Sequence, residues 1–535
     1  MTIWFAEVAE NASMSLAKQA ADRTSHGDMR LAEIIAAISL ATDLGMGQPM
    51  ELGLRIAALG VDVGRRLGLG AEDLSDIYYL ALIKHIGCTS DALEFATFSG
   101  GDDNAFRRHA MAFPAMDRGQ IARAIVRHIG EGRPALERAR LVAEMFLQGQ
   151  RRPRQVAAAH CEAGGRLATR LGMSDGVCAG LLQEQERWDG QGLPAGLAGD
   201  QLCVAHRVVL VAHDALLIQE AGGPVVDILR ARRGHAHDPA VVDALTQDSE
   251  LTRADQGTDS WAKVLAAEPE PHATVNHSAL DRIAQACADF TDLKSPYLLG
   301  HSTRVAELAV GGAEVMGSSQ DETDELRRAA LLHDLGRVAV PNGIWDKPGS
   351  LAATEVERVR LHPYYTERIL ARAKVFAPMA VVAGSHHENL DATGYHRGVG
   401  ATQLARPARL LRAADCLEAM SHDRPHRPAL PAAERIRQLS AEVDAGRLDA
   451  DAVTAVVEAS GGARIRLRPP RPAGLSEREI EVLRLLVHGL SNPEIGRRLH
   501  LSPKTVGHHV EHIYNKAAVT SRAAAALFAM ESDLT

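Results

Sequence analysis

The sequence predicts an all-α protein: two similar helical domains in tandem, followed by a four-helix helix-turn-helix module. Three observations support this prediction. Aromatic residues make up only 4% of the 535 residues, whereas Ala, Leu and Arg, which favour helices over strands, are abundant. A set of short motifs occurs twice in the same order along the chain. The C-terminal segment carries the capping residues and the apolar spacing of four short helices.

Length and composition indicate several soluble domains. With roughly 100–200 residues per domain, a chain of 535 residues is expected to hold three or four. The six cysteines are scattered without a C-x-x-C pair, which argues against a disulfide scaffold or a zinc ribbon. The N-terminus lacks the pattern of a signal peptide, and no apolar run reaches the ~18 residues that span a bilayer. We therefore expect a cytoplasmic protein with no membrane partner.

The net charge of −9 is unevenly distributed along the chain. Residues 463–535 contain 11 Lys and Arg but 7 Asp and Glu, a balance of +4, which leaves −13 for the rest of the chain. A basic segment at the end of an acidic body indicates that contact with nucleic acid is confined to the C-terminal segment.

An internal repeat divides the body of the chain. ALIKHIGC (81–88) returns as ALLHDLGR (330–337), at an offset of 249 residues. ERWDGQGLPAGL (186–197) returns as ENLDATGYHRGV (388–399), at an offset of 202. Motifs in the same order predict two domains of one fold, with extra residues between the motifs of the first copy.

The expected domain boundaries follow from the repeat and from two segments of linker-like composition. The first copy is expected at residues 1–245 and the second at 277–460, joined by a polar linker at 246–276. Residues 461–474 are rich in proline and arginine, which interrupt helices and remain solvated, so they predict a second linker. The helix-turn-helix module then occupies 475–535.

Polar residues of the second copy stand where helices are expected to be apolar. His301 lies one turn before Val305, and His333 follows Leu326 by seven residues on one face. A charged carboxylate buried alone in a core is costly, whereas a shared cation satisfies imidazoles and carboxylates together. Such a mixture of ligands suits Fe, Mn, Zn or a similar metal. The candidate ligands are His301, His333, Asp334, His362, His386, His387 and Asp415.

Seven ligands are more than one ion needs. Two ions bridged by Asp334 would use them all, and such a pair activates water near neutral pH and stabilises an in-line displacement at phosphorus. The alternative is that each histidine merely satisfies a hydrogen bond in the core. The adjacent His333–Asp334 and His386–His387 pairs favour the metal site.

The candidate ligands lie within an ordered set of sequence runs. These are GHSTRVAELA (300–309), LLHDLGR (331–337), WDKPGSL (345–351), LHP (361–363), HHENLDATGYH (386–396), RLLRAAD (409–415) and DRPHRPAL (423–430). The runs resemble the HD-GYP branch of the HD phosphohydrolases, whose known members cleave cyclic di-GMP. The resemblance covers residues 281–445.

The resemblance implies two divalent metal ions, with Fe or Mn as the expected metal, and a cyclic dinucleotide as the partner molecule. One ion would be held by His301, His333, Asp334 and Asp415. The other would be held by His362, His386 and His387, with Asp334 bridging the two. The implied catalytic residues are Asp334 and Arg337. The implied substrate-binding residues are Arg337, Arg424 and Arg427.

The sequence departs from the family pattern at several positions around this site. The family has lysine where Arg337 stands, Ala392 replaces a glycine, and His396 replaces the proline of the GYP signature. Arginine is a planar fork rather than a point charge, so the positioning of a phosphate is expected to differ. Some members hold a third metal through a glutamate at the position of Tyr297, so we expect two metals.

The first copy lacks the metal ligands. Lys84 and His85 replace the His–Asp pair, Glu184 and Gln185 replace the His–His pair, and Gln48 is interpreted as the counterpart of the first histidine. A lysine at the centre would repel a divalent cation. We expect a degenerate HD-like domain with a sensory, dimerising or regulatory role, in which the vacated cavity either holds a ligand or belongs to a scaffold.

The C-terminal segment shows the caps of successive short helices. Ser476 and Glu479 form a capping box, and Ser491 and Ser502 begin the next two helices. The third helix is apolar on one face and polar and basic on the other. The polar face consists of Lys504, Thr505, His508, His509, His512 and Lys516. Such a helix, held across a second short helix, fits the major groove of DNA.

This segment resembles the LuxR-type DNA-binding domain through LSEREIEVL, GLSNPEIGRRL, LSPKTVGHHVEHIYNKAAV and SRAAAA, in the family's order. The resemblance implies that Lys504, Thr505 and His509 approach double-stranded DNA, chiefly at phosphates, and that the final helix pairs two modules in a homodimer. A small helical bundle with a solvated basic face is the alternative. The complete prediction is an all-α chain of two tandem HD-like helical domains and a four-helix LuxR-type helix-turn-helix.

Together these features predict a DNA-binding transcriptional regulator whose HD-GYP-like site hydrolyses or senses a cyclic dinucleotide such as cyclic di-GMP. Two alternatives stay open at the level of the sequence. In one, the metal site binds a nucleotide without turnover. In the other, the protein is a phosphodiesterase that uses its C-terminal module only for localisation on DNA.

Overall fold

The structure is a computed structural model. It describes residues 29–112, 115–116, 118–131, 133–147, 151–247, 259–462, 467, 472–532 and 534. Within these ranges the regular secondary structure is almost all helical, as predicted, and the strands are limited to β1 (Met29–Arg30) and β2 (Thr274–Val275), paired antiparallel. No helix in the described ranges is long and apolar enough to cross a membrane.

The first copy consists of a core of long helices and a group of shorter ones inserted between them. Its helices are α1 (Leu31–Gly45), α2 (Leu52–Arg66), α3 (Ala71–Ile83), α4 (Ala92–Ser99), α5 (Asp103–Ala110), α6 (Arg118–His128), α7 (Ala135–Leu147), α8 (Arg151–Arg170), α9 (Asp175–Leu182), α10 (Val204–Glu220), α11 (Val225–Arg232), α12 (Pro239–Thr246) and α13 (Ser260–Ala267).

The second copy repeats the core helices with a shorter insertion. Its helices are α14 (His277–Asp292), α15 (His301–Val315), α16 (Gln320–Leu332), α17 (Asn342–Trp345), α18 (Ala353–Arg360), α19 (His362–Leu370), α20 (Ala377–Gly384), α21 (Arg406–Ser421), α22 (Ala432–Asp444) and α23 (Ala450–Ala459). A 3₁₀ turn (Leu335–Ala339) follows α16, and its counterpart in the first copy (Ile86–Thr89) follows α3.

One continuous hydrophobic core runs through both copies. Helix α1 is rich in alanine and isoleucine and is buried along nearly its whole length. It packs against α3 of its own copy and against the 3₁₀ turn and α19 of the second copy. Because apolar residues cover all sides of α1, burying it requires both copies, and the two form one body.

The prediction of a linker at 246–276 is wrong for its second part. Residues 259–276 belong to the body: α13 packs against α2 and buries Val264 completely, and β2 pairs with β1. Helix α13 has only eight residues and follows a polar stretch. Its few apolar residues do not show a clear helical period, so the composition of the segment suggested a linker. Residues 248–258, and most of 461–474, lie outside the described residues.

The C-terminal module has a hydrophobic core of its own. Its four helices are α24 (Glu477–Val487), α25 (Asn492–Leu499), α26 (Pro503–Lys516) and α27 (Arg522–Glu531). The predicted caps are present. The Ser476 amide donates to the Glu479 carboxylate over 2.6 Å, and the Glu479 amide donates to the Ser476 hydroxyl over 3.2 Å. Ser502 accepts from the Thr505 amide over 3.0 Å, so α26 begins where the sequence predicted.

Candidate metal centre and nucleic-acid interface

The seven candidate ligands of the second copy converge on one point, although they span more than a hundred residues of the chain. Most of them stand at the ends of helices. His301 and His362 are the first residues of α15 and α19, and His333 and Asp334 mark the step from α16 into the 3₁₀ turn. His386 and His387 follow α20, and Asp415 projects from within α21. The core helices therefore bury their apolar faces against one another, and this packing brings the polar groups at their ends together.

The Asp334 carboxylate lies between two groups of histidines. Its Oδ2 is 3.5 Å from Nε2 of His301 and 3.5 Å from Nε2 of His333. Its Oδ1 is 3.3 Å from Nε2 of His362 and 3.5 Å from Nε2 of His386. Each oxygen therefore faces a different half of the site, which is the arrangement that a bridging carboxylate requires.

Backbone carbonyls orient three of the histidine rings. Nδ1 of His333, of His362 and of His386 each lies 2.6 Å from the carbonyl oxygen three residues earlier in the chain. This contact places the proton on Nδ1 and turns the lone pair of Nε2 toward the centre, where Nε2 of His362 and Nε2 of His386 lie 3.0 Å apart. A partner at the second ring nitrogen is how metal-binding histidines are oriented. Nε2 of His333 is buried and has no hydrogen-bond partner among the described residues.

The protonation states also fit metal binding. Burial alone would raise the pKa of Asp334, but the charge of Arg337 and the surrounding histidines hold it well below its usual range. Burial lowers the pKa of His333 to about 4 and lowers that of His387 well below its usual value. His301 differs: burial opposes its charge, but the carboxylates of Asp334 and Glu418 raise its pKa to about 9. A metal bound at His301 would displace that proton.

The donor set can hold two ions. His301, His333 and Asp415 offer ligand atoms within 4.8 Å of one another, and so do His362, His386 and His387. These are the two groups that the family resemblance implied, and Asp334 lies between them. Imidazoles and carboxylates together suit Fe, Mn or Zn, and neutral imidazoles around an ionised carboxylate are the form that binds them.

A cavity of about 410 Å³ opens onto the ligands. The three arginines predicted to bind substrate all line it, together with His301, Asp334, His387 and Asp415. Arg337 lies with its guanidinium 4.0 Å from the centre of the Trp345 ring and donates to Oδ2 of Asp334 over 2.6 Å. Arg424 donates to Glu418 over 2.8 Å, and Arg427 donates to backbone carbonyls.

Sequence reasoning missed Glu418, which lies beneath the site. It is 1% exposed, and its Oε2 is 2.5 Å from Nδ1 of His301. It also accepts hydrogen bonds from Arg304 and Arg424. Glu418 thus fixes the ring of one ligand and one cavity arginine at once. Its position one turn after Asp415, on the buried face of α21, is the signal in the sequence that could have found it.

The loop that departs from the family pattern adopts strained backbone conformations. Ala392 has a φ of 61° and His396 a φ of 86°, in the left-handed region that glycine adopts most easily. The Tyr395 ring between them stacks on the ring of His387 at 4.7 Å. The imidazole of His396 lies 3.2 Å from the Glu367 carboxylate, so the loop is held against the metal centre without the usual proline.

The first copy retains one ligand position that the sequence analysis overlooked. A Cβ built on Gly87 would lie 2.2 Å from the carbonyl oxygen of His160, and one built on Gly336 would lie 2.2 Å from that of His362. The same close approach of turn and helix identifies His160 as the counterpart of His362. The extra residues of the first copy hid this match, because no short motif surrounds His160.

The interpretation of Gln48 as the counterpart of His301 is wrong. The Gly53 amide donates to the Asp43 carboxylate over 3.2 Å, and the Ser302 amide donates to the Asp292 carboxylate over 2.9 Å. These matching contacts at the start of α2 and α15 place Leu52 where His301 stands in the second copy. An apolar residue at that position leaves the first copy without this ligand.

The two copies interlock beside the candidate metal centre. Asp103, the first residue of α5, is fully buried. Its carboxylate accepts from Nζ of Lys294 over 3.2 Å and from the Asn342 amide over 2.6 Å. The Gly343 amide also donates to the Gly101 carbonyl over 3.0 Å. The first copy therefore supports α17, the helix that carries Trp345 into the cavity wall.

The polar face of α26 is largely accessible. Lys504, His508 and His512 are exposed, and Thr505 and His509 are half-buried. Lys516 differs from the expectation. Its ammonium donates to the buried Glu479 carboxylate over 2.7 Å and to the Gly474 carbonyl over 3.2 Å. Lys516 thus holds α26 to the start of α24, and we leave it out of the proposed DNA face.

Comparison with known proteins relates two parts of the chain to families. Residues 285–452 match the HD domain family, and residues 473–529 match the luxR family of bacterial regulatory proteins. Over 407 residues, or 75% of this chain, the sequence is 32% identical to 3′3′-cGAMP-specific phosphodiesterase 3 of Vibrio cholerae and spans 88% of it. A cyclic di-GMP phosphodiesterase of Pseudomonas aeruginosa is 31% identical over 287 residues, which cover 52% of this chain and 62% of that protein.

A solved structure supports the same assignment. The crystal structure of a cyclic GMP-AMP-specific phosphodiesterase of V. cholerae aligns with 81% of this chain and 98% of its own, with a TM-score of 0.56 and 27% identity. The chain therefore belongs to the HD-GYP-type family of HD-domain proteins that contains these phosphodiesterases, and it carries a luxR-family helix-turn-helix domain after the HD domain.

Proposed function

We propose that this protein is a DNA-binding transcriptional regulator whose second copy is a metal-dependent phosphodiesterase of a cyclic dinucleotide. One observation carries the proposal: the Asp334 carboxylate lies between two histidine groups at the floor of a cavity that three arginines line. A divalent metal pair with phosphate-binding cations beside it is suited to displacement at phosphorus.

The ligands present would hold two Fe or Mn ions, which would supply an activated water and stabilise negative charge at phosphorus. The chain's own residues position the substrate. Arg337 is held by Asp334 and by the Trp345 ring, so its guanidinium is fixed in orientation at the cavity wall. Arg424 is braced by Glu418 and the Tyr297 carbonyl. Guanidinium groups fixed in this way bind phosphate oxygens with little loss of side-chain entropy.

The substrate class follows from the cavity and from the relatives. A volume of about 410 Å³ lies within the range of small-molecule sites, roughly 300–1,000 Å³. The relatives are phosphodiesterases of cyclic GMP-AMP and of cyclic di-GMP. We propose that this protein acts on a cyclic dinucleotide with two such phosphodiester groups.

The C-terminal module supplies the DNA contact in this proposal. Its face is formed by Lys504, Thr505, His508, His509 and His512. Lys504 is the lysine exposed at the start of α26, where recognition helices approach the groove. Its contact with a phosphate would contribute to affinity for any sequence.

The test uses the full chain loaded with Fe(II) or Mn(II). Cyclic di-GMP and 3′3′-cGAMP are each incubated with it, and the linear products are separated by chromatography. We expect hydrolysis of at least one, and its loss in the double variant His333→Ala with Asp334→Ala. The matched control, His277→Ala with Asp321→Ala, changes an exposed pair in the same domain and is expected to retain activity. Absence of products with every metal would contradict the enzymatic proposal.

Binding without turnover is the second candidate. The guanidinium of Arg337 donates to the same Oδ2 of Asp334 that faces His301 and His333. An arginine at this position competes with a metal ion for that oxygen. Weaker metal binding there would favour binding of the nucleotide without its hydrolysis. Titration calorimetry that records binding of a cyclic dinucleotide to the metal-loaded chain, with no product formed, would support this candidate.

A further inference from the structure

We propose that the vacated metal position of the first copy is a binding site for an apolar small molecule that carries one uncharged, hydrogen-bonding head, such as a fatty primary amide. This site is separate from the metal centre, and the proposal does not depend on the function of the second copy. Four features of the first copy support it: a large cavity, an inserted roof, internally balanced charges and a polar end.

The cavity of the first copy has a volume of about 720 Å³ and is larger than the cavity of the second copy, which has about 410 Å³. Its walls are chiefly apolar and rich in methionine, whose flexible side chain adapts to the shape of a ligand. The apolar walls include Met46, Phe95, Phe106, Met111, Met116, Ile121, Ile125 and Met145. A space of this size, whose wall combines a larger apolar part with polar and charged groups, is typical of small-molecule sites.

The insertion of the first copy forms the roof of this cavity. The offset between the copies falls from 249 residues at Lys84 to 202 at Glu184, so the first copy has 47 more residues between them. This stretch includes α6 and α7, and residues such as Ile125 and Met145 from these helices line the cavity. The added residues thus enclose an apolar space where the metals would otherwise lie.

The charged groups on the cavity wall are paired with one another. Lys84 donates to Glu184 over 3.1 Å, and Arg187 donates to Asp189 over 2.7 Å. Two further cations, Arg107 and Arg232, form ion pairs with buried aspartates. His160 on the same wall bonds to both Glu184 and Asp91, so each of these charges has an oppositely charged partner within the protein. A ligand therefore does not have to bring a charge, and an uncharged molecule can occupy the cavity.

One end of the cavity carries hydrogen-bonding capacity that the protein leaves open. Nδ1 of His85 is 2.9 Å from the ionised Glu184 carboxylate, which only accepts, so Nδ1 carries the proton. Nε2 of the same ring is then an acceptor, and it is buried without a partner among the described residues. Burial and the charge of Lys84 lower the pKa of His85 to about 4, so the ring stays neutral.

Lys84 offers the complementary function. Its ammonium has three N–H donors and makes one hydrogen bond to a side chain of the described residues, to Glu184. A head with both a carbonyl oxygen and an N–H would satisfy Lys84 and His85 together, as a primary amide does. The apolar body of the molecule would then extend along the methionines beneath the roof.

The test measures binding to the full chain with N-phenyl-1-naphthylamine, a dye that fluoresces in apolar sites, and its displacement by decanamide. We expect saturable dye binding at one site per chain and competitive displacement. N,N-dimethyldecanamide has no N–H, so we expect it to displace the dye about tenfold less well, consistent with one lost hydrogen bond.

Two substitutions locate the site. Ala157→Phe fills the cavity from α8, and Met145→Trp fills it from the half-buried roof helix, so that one of them is informative if the other does not fold. Each is expected to abolish decanamide binding. Ala419→Phe fills the cavity of the second copy and is expected to leave decanamide binding unchanged. The proposal is overturned if the wild-type chain binds no dye, if both folded filling variants bind decanamide normally, or if the dimethyl amide competes equally well.

Discussion

Lys84 donates a hydrogen bond to Glu184 across 3.1 Å, at the two positions that His333 and His386 occupy in the second copy. The Lys84 ammonium takes the place of a metal ion, because it neutralises the Glu184 carboxylate inside the domain. His160, the retained ligand position, bonds to the same Glu184 over 2.9 Å and to Asp91 over 2.9 Å. The first copy has therefore replaced a metal centre with an internal network of ion pairs.

This network predicts how the stability of the body depends on pH. Burial opposes the charge of His160, but Glu184 and Asp91 raise its pKa from the ordinary 6.5 to about 10. A raised pKa stabilises the fold most below pH 6.5, and the contribution is lost as pH rises through 10. We expect the melting temperature of the wild type to exceed that of His160→Gln at pH 7, and the difference to shrink by pH 10. A difference that is constant over this range in thermal unfolding would contradict the assignment.

Replacing the bridging carboxylate is expected to remove metal. Asp334→Asn keeps the shape, but a neutral amide with one donor end cannot face two ions with two oxygens. We expect the metal content, measured by plasma mass spectrometry, to fall from two ions per chain to at most one, with loss of any hydrolysis. Asp346→Asn changes a carboxylate of the same cavity wall that bonds to Ser295 and Asn342, and it should leave the metal content unchanged.

Glu418 is expected to act as a positioning residue for the metal centre. Glu418→Gln removes the charge that orients His301, and loss of such a partner costs about 10–100-fold in metal affinity. Metal titration of the apo chain should show this weakening at one of the two sites. The melting temperature of the metal-free protein should also fall, because Glu418 balances the charges of Arg304 and Arg424. Equal affinity at both sites in the variant would show that Glu418 does not orient His301.

Two neighbouring aspartates at the contact between the copies, Asp103 and Asp102, are expected to differ in how much they stabilise the body. Asp103→Ala leaves the buried Lys294 ammonium without its partner, which we expect to destabilise the body by about 3–5 kcal/mol. Asp102→Ala removes a half-exposed helix cap and a surface ion pair with Arg358, with an expected cost of about 1 kcal/mol. Chemical denaturation measures both. Equal losses would mean that the Asp103–Lys294 contact does not hold the copies together.

Two lysines of α26 are expected to differ in their effects. Lys504→Ala should weaken DNA binding and reduce the slope of log affinity against log salt by about 0.9, the effect of one phosphate contact. Lys516→Ala should instead lower the stability of the module by about 1–3 kcal/mol, because it leaves the buried Glu479 without its ammonium partner. Fluorescence anisotropy at several salt concentrations separates them. A slope that changes only in Lys516→Ala would reverse the two assignments.

The sequence by itself determined the class of the fold, the tandem repeat, the seven candidate ligands and the helix-turn-helix. These features are local: a His–Asp or His–His pair, a capping box and an apolar period are each readable within a few residues. The convergence of His301, His362 and Asp415 could be inferred because each has a local motif around it.

Only the tertiary structure decided that His160 matches His362, what Glu418 and Lys516 bind, and which space the insertion encloses. Each of these depends on contacts between residues far apart in the chain, and such contacts leave no local pattern. The offset of 249 residues places Leu52 opposite His301. The contacts of Asp43 and Asp292 at the starts of the two helices show that this alignment extends so far back from the motif. The roof over the vacated cavity is likewise visible only once the helices are packed, because packing, and not spacing, brings Ile125 and Met145 to the wall that Lys84 also lines.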